Sequence, residues 1–172
     1  AGPAVVERAL GVSRTKEELG GWKVHLKNGT VDNLAKDEAD AFDQIRRFLS
    51  YMPQNVWELP AVTETEDTPD RADEELISLI PRDRRKPYDG RKLVKHIVDR
   101  DSFFELGKRF GPGQVVGLAR MMGQPVGIFA SDCKYAAGAM TADGSQKVRR
   151  FIDLCDTFHL PILSFVDEPG FM

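Results

Sequence analysis

From Glu38 to Tyr51 apolar side chains return at helical spacing. Ala41, Phe42, Ile45, Phe48, Leu49 and Met52 form one stripe, and Pro53 closes the segment. The same rhythm runs through residues 147–158, where Val148, Phe151, Ile152, Cys155 and Phe158 share one face. Arg149, Arg150, Asp153 and Asp156 take the other, which predicts an amphipathic helix, and small residues from Ala142 onward extend its start. After the Leu160-Pro161 joint, Ile162 to Val166 is a short run of strand formers, stopped by Asp167-Glu168-Pro169-Gly170. Upstream, Val115 to Arg120 and Pro125 to Phe129 predict a hairpin turning at Met122-Gly123-Gln124. A strand at 103–106 and a helix at 90–98, with Leu93, Val94 and Ile97 inward, precede it. Strand, strand, loop, helix, strand is an α/β order.

The first third reads less regularly. Residues 3–10 suit the end of a helix, and Thr15-x-x-Glu18 is a capping box opening a short second one, ended by Gly20-Gly21. Trp22 to Leu26 and Thr30 to Leu34 read as two extended pieces about Asn28-Gly29, a hairpin dipeptide. Between 53 and 73, Pro53, Pro60 and Pro69 punctuate an acidic run with few apolar anchors, which predicts a linker. Leu76 to Ile80 is a short helical or irregular piece before Pro81. A break near 55–75 would leave the 38–52 helix on one side and the hairpin on the other.

Composition narrows this only a little. A chain of 172 residues suits one domain or pieces of two. The net charge of −3 gives no footprint for nucleic acid, and 41% hydrophobic residues can fill a core. No apolar run approaches the roughly 18 residues of a membrane span. Cys133 and Cys155 form no CxxC pair, which argues against a zinc site or disulfide scaffold and fits a reduced compartment. The expectation is a soluble intracellular protein.

The wording of KVRRFIDLCDTFHLPILSFVDEPGFM, residues 147–172, resembles the carboxyltransferase (beta) subunit of biotin-dependent acyl-CoA carboxylases, of propionyl-CoA or acetyl-CoA carboxylase type. Two further blocks carry the resemblance. In the first, Glu18, Gly20, Gly21, His25, Gly29, Asp32, Asp37, Glu38, Arg46, Ser50, Tyr51 and Pro53 match. In the second, Pro81, Tyr88, Asp89, Arg91, Ile97, Asp99, Phe103 and Glu105 match, while Asn28 stands where the family commonly has Ser. The family's subunit is longer, so the resemblance implies a fragment.

It also implies an α/β crotonase-like (ClpP/crotonase) carboxyltransferase fold in partial units. Residues 1–60 would be the tail of the first carboxyltransferase domain, 61–74 a linker and 75–172 the start of the second. The implied reaction moves a carboxyl group from carboxybiotin, on a carrier domain, to the α-carbon of an acyl-CoA. The released biotin anion can take the α-proton, so the protein supplies oriented backbone groups rather than an acid–base pair. No metal is implied. The expected partners are a biotin carboxylase/biotin carrier subunit and further copies, as a dimer or hexamer-type assembly, without nucleic acid or membrane. The expected location is the cytoplasm, or the mitochondrial matrix in a eukaryote.

Two turns fit that need. Gly138 and Ala139, in a small-residue turn before a helix, are candidate oxyanion N–H donors by the resemblance, although on the residues alone strand-to-helix packing is the more ordinary reason for such a turn. Pro169, Gly170 and Phe171 are candidate biotin-pocket residues, and the two turns are expected side by side. Arg82, Arg84, Arg85 and Lys86 could meet CoA phosphates or form a solvated loop. His25 suits a structural hydrogen bond, His96 and His159 packing or surface placement, and Trp22 and Trp57 packing or interface anchoring. Cys155 is expected in the core, and nothing near Cys133 marks it as a nucleophile. A biotin-dependent decarboxylase and a non-catalytic assembly fragment remain the alternatives, and the isolated chain is expected to be inactive.

Overall fold

The computed structural model describes residues 2–83 and 85–172. Helices α1 (Pro3–Leu10), α2 (Lys16–Gly20), α3 (Trp22–Lys27), α4 (Glu38–Ser50), α5 (Glu75–Leu79) and α6 (Gly90–Ile97) come first. Strands β1 (Phe104–Leu106), β2 (Gln114–Met121) and β3 (Gln124–Ser131) follow, then helix α7 (Ala142–Thr157) and strand β4 (Ile162–Phe165). The strands make one sheet in the order β1-β2-β3-β4, antiparallel until β4, which lies parallel to β3 after the α7 crossover.

Each face of the sheet has its own core, set by strand alternation. Val116 and Leu118 point with Phe104 toward α7, packing on Val148, Phe151, Cys155 and Leu160. Val115, Ala119, Val126, Ile128 and Ala130 point the other way, onto Val94 and Val98. Gly127 lets α7 approach: a Cβ there would lie 2.6 Å from Cys155 Sγ. Burial pushes the Cys155 thiol up to about 12, so it is inert core.

The β2–β3 turn is a two-residue loop, with Met122 at φ 52° and Gly123 at φ 77° and Met121 already paired with Gln124. Methionine is unusual at positive φ, and the buried Asp99 explains its tolerance. Its carboxylate accepts the N–H groups of Met122 (2.8 Å) and Gly123 (2.7 Å). Arg91, at the start of α6, likewise ties three elements: it pairs with Glu105 of β1 at 2.7 Å and with buried Asp132 just after β3.

Three expectations are corrected. Residues 22–27 are a helix, not a strand: Gly21 is its N-cap, Asn28 its C-cap, and Gly29 (φ 77°) follows as the left-handed residue. An Asn-Gly pair serves a helix end as readily as a hairpin. The α4 stripe is only partly inward, since Phe48 and Met52 pack against the core while Phe42, Ile45 and Leu49 stay 56%, 54% and 58% exposed. Finally, the 38–52 helix and the hairpin are not segregated. Tyr51 shares a core with Val116 and Phe151, and Arg120 of β2 donates to the Ser50 carbonyl at 2.6 Å. Arg150 donates to the Gly29 carbonyl at 2.6 Å and pairs with Asp32.

Residues 53–73 hold no helix or strand, yet they are docked. Thr63 N–H donates to the Gly123 carbonyl (3.2 Å), and Arg71 donates to the carbonyls of His96 (3.1 Å) and Val98 (2.6 Å).

Candidate active-site turns

Because β3 and β4 are parallel, the segments leaving them emerge on the same edge of the sheet. After β3, Asp132 to Tyr135 lead into a single 3₁₀ turn, Ala136–Gly138, with Ala136, Ala137 and Gly138 all at positive φ. After β4, residues 166–172 run back beside it. Met140 N–H donates to the Gly170 carbonyl and Met172 N–H to the Met140 carbonyl, both at 2.9 Å, making a parallel bridge between Met140 and Phe171. At Gly138 a Cβ would lie 3.3 Å from the Asp167 carbonyl. The structure thus brings Gly138, Ala139, Pro169, Gly170 and Phe171 into one neighbourhood.

Their backbone groups are not equally available. Gly138 N–H donates to the Tyr135 carbonyl (2.8 Å) and Ala139 N–H to the Ala136 carbonyl (3.0 Å). The 3₁₀ turn therefore occupies both N–H groups assigned as oxyanion donors, and neither is open to an external oxygen in this arrangement. Gly170 is different: at φ 141°, a Cβ there would meet nothing within 4 Å. Phe171 beside it is 86% exposed, leaving a large apolar face free.

Two residues with no chemical assignment in the sequence lie at these turns. The Tyr88 hydroxyl donates to Asp167 Oδ2 at 2.6 Å, and burial together with that carboxylate pushes the phenol well above its ordinary range. Glu168 is raised by burial. The matches at Tyr88, Asp89, Arg91, Asp99 and Glu105 were the available signal. Asp89 caps α6 and accepts from Lys134 Nζ at 2.8 Å, so these positions prove to be the polar fasteners around the sheet edge.

Other candidates sit elsewhere. His25 Nδ1 is buried without a partner among the described residues, against the expected hydrogen bond. His96 lies between Asp73 (2.9 Å) and Glu75 (3.4 Å), and His159 Nε2 lies 2.8 Å from the Val56 carbonyl. Trp57 is exposed, and Trp22 stacks with Lys23 and Arg109. Tyr88 N–H donates to Cys133 Sγ at 3.2 Å. In the basic run, Arg85 folds onto Asp83, and Arg84 lies outside the described residues. No described helix is long and apolar enough to cross a membrane, and no described cluster of three or more His, Cys, Asp or Glu could hold a metal.

A cavity of about 530 Å³ lies away from the turns, between α4, α7 and the β1–β2 face. Its walls are largely apolar: Ile45, Phe48, Leu49, Phe104, Val116 and Phe151. Lys147 also lines it, but its ammonium donates to the Gln114 carbonyl at 2.6 Å, and burial lowers it to about 8. The cavity does not adjoin the open backbone at Gly170.

Comparison with known proteins agrees with the fold and the signature blocks. A propionyl-CoA carboxylase carboxyltransferase subunit of Haloferax mediterranei is 42% identical over 172 residues, covering 99% of this chain and 33% of its own length. Methylmalonyl-CoA decarboxylase subunit alpha of Veillonella parvula is 38% identical, covering 99% of this chain and 34% of its own. The crystal structure of transcarboxylase 12S, a hexamer with hydrolysed methylmalonyl-coenzyme A bound, superposes over 100% of this chain and 34% of its own with a TM-score of 0.95 at 31% identity. That likeness makes the architecture part of the crotonase-like carboxyltransferase fold. This chain spans about a third of the length of these relatives. The carboxyl transferase domain family matches residues 1–172, and the chain belongs to that family.

Proposed function

We propose that this chain forms part of a carboxyltransferase that moves a carboxyl group from carboxybiotin to the α-carbon of an acyl-CoA. The observation that carries the reading is the match of all 172 residues to the carboxyl transferase domain. Carboxybiotin, as co-substrate, supplies both the carboxyl group and, once released, a nitrogen basic enough to take the α-proton. The chain itself need only bind, orient and exclude water.

Within it, the turn after β4 suits the biotin side. Gly170 offers backbone next to open space, Phe171 an apolar wall, and Asp167 is held by Tyr88. The Ala136–Ala139 segment serves as a rigid floor rather than as the donor pair, since its Gly138 and Ala139 N–H groups are already bonded. Residues 1–60 are then the tail of one carboxyltransferase domain, 61–74 the connection and 75–172 the opening of the next. The lack of helix or strand over residues 53–73 supports that division in sequence, while Tyr51 and Phe48 pack the first part onto the core of the second. The partners are a biotin carboxylase/biotin carrier subunit and further copies, the working compartment is the cytoplasm or the mitochondrial matrix, and the propionyl-CoA and methylmalonyl-CoA relatives favour a short acyl-CoA.

The Veillonella relative favours one second reading, the reverse use of the same site to decarboxylate a carboxylated acyl-CoA. One experiment separates them. This segment is exchanged for its counterpart in the Haloferax subunit, and the product is followed from carboxybiotin plus propionyl-CoA and from methylmalonyl-CoA plus biotin. One catalyst runs both directions, so a larger kcat for transfer to propionyl-CoA supports the first reading, and a larger kcat for loss of carboxylate from methylmalonyl-CoA to biotin supports the second. Neither reaction, in a correctly assembled subunit, would refute both.

A further inference from the structure

Gln114 is a buried polar side chain that neither core explains. It opens β2 opposite Ser131 of β3 and is 1% exposed. Its stem lies against the first turn of α7, where a Cβ on Gly144 would come 2.8 Å from Gln114 Cγ. Its backbone is anchored on both sides: the carbonyl accepts from Lys147 Nζ at 2.6 Å, and the N–H donates to the Gly111 carbonyl at 3.0 Å.

The carboxamide reaches both turns at once. Nε2 lies 3.2 Å from the Gly138 carbonyl and 3.5 Å from Glu168 Oε1. A carboxamide nitrogen carries two hydrogens, one for each of these acceptors. The partners also fix the amide's orientation, because the reverse would set its oxygen against the Gly138 carbonyl. In that orientation Oε1 is buried without a partner among the described residues. An unpaired buried oxygen is destabilising, and an apolar side chain would fill the space without it.

We propose that Gln114 is a positioning residue: its two amide hydrogens hold Gly138 and Glu168, and with them the turns after β3 and β4, at the spacing of the Met140–Phe171 bridge. The proposal rests on the reading of these turns as part of the transfer site. Glu168 is half-buried, and a carboxyl partly withdrawn from water gains from a donor at Oε1.

The test has an arm that needs no activity. In this chain, the Met140 and Met172 amides report the bridge between the turns, and their hydrogen exchange is measured in Gln114→Met, which keeps the volume and removes both donors. Exchange at both should rise about tenfold, with the β2–β3 amides unchanged. Glu168→Ala removes one anchor, so Met172 should respond more than Met140, and it decides the matter if Gln114→Met does not fold. In the exchanged Haloferax subunit, Gln114→Met should lower kcat about tenfold while KM for acyl-CoA holds within about twofold. Unchanged exchange at Met140 and Met172 in folded variants overturns the proposal, as does an unchanged kcat. A parent subunit that transfers no carboxyl group sinks the functional reading instead, and the exchange result still decides the clamp.

Discussion

The Tyr88 hydroxyl donates to Asp167 at 2.6 Å across 79 positions of sequence, joining the loop before α6 to the turn after β4. This bond holds the first residue of the Asp-Glu-Pro-Gly turn against the body of the domain. Together with the Met140–Phe171 bridge it defines the conformation of residues 167–172.

Tyr88→Phe should therefore loosen that turn with little effect elsewhere. A hydrogen bond to a partly exposed carboxylate contributes about 1 kcal/mol. Urea unfolding should fall by about that amount, and limited proteolysis should begin first within residues 166–172. A variant as resistant as the parent would show the turn is held by the bridge alone.

Lys147 gives a pH signature. Its folded-state value is lowered to about 8 from the ordinary 10.5 because burial disfavours the ammonium. Between these values the unfolded chain binds more protons, so this residue makes stability rise as pH goes from 8 to 10.5. Lys147→Met should abolish that part of the rise. Chemical denaturation of both proteins at about pH 7, 9 and 10.5 gives the difference directly, and parallel curves would refute the assignment.

Arg91→Met should be among the most destabilising single changes. It leaves Asp132, 2% exposed at its side chain, and Glu105 without their shared cation. Removing one partner from such a buried network costs about 3 kcal/mol. A midpoint shift worth less than about 1 kcal/mol would mean water replaces the guanidinium.

Gly170→Val tests the turn's chemistry. At φ 141° a side chain strains the backbone by about 1–3 kcal/mol, but open space means no steric clash. In the exchanged Haloferax subunit, carboxybiotin turnover should fall at least about tenfold, beyond what that strain does to folding. Normal turnover would remove Gly170 from the site.

Phe42, Ile45 and Leu49 form an exposed apolar stripe on α4, with Trp57, Val166 and Phe171 exposed elsewhere. Such a surface favours association. Sedimentation velocity of this chain should show self-association that weakens in Phe42→Glu/Leu49→Lys. A monomer at all concentrations would show that the stripe is tolerated in water.

What could be read in the residues alone was local periodicity and punctuation. The α4 and α7 stripes, the Thr15–Glu18 capping box, the β2–β3 hairpin and β4 all follow from side-chain spacing and turn residues, which act over a few positions. Asn28-Gly29 misled because left-handed backbone serves a helix end as well as a hairpin, and the dipeptide by itself does not select between them. The acidic 53–73 stretch reads as a spacer by composition, but ion pairs and carbonyl contacts dock it, and these depend on His96, Val98, Arg100 and Gly123 arriving from distant positions. The adjacency of the Gly138 and Gly170 turns follows from the parallel strand order already implied by strand, helix, strand. Which N–H groups stay open at those turns was decided by tertiary structure alone. A hydrogen bond depends on tenths of an ångström, and no pattern of residue types specifies whether Gly138 donates inward to Tyr135 or outward to a ligand.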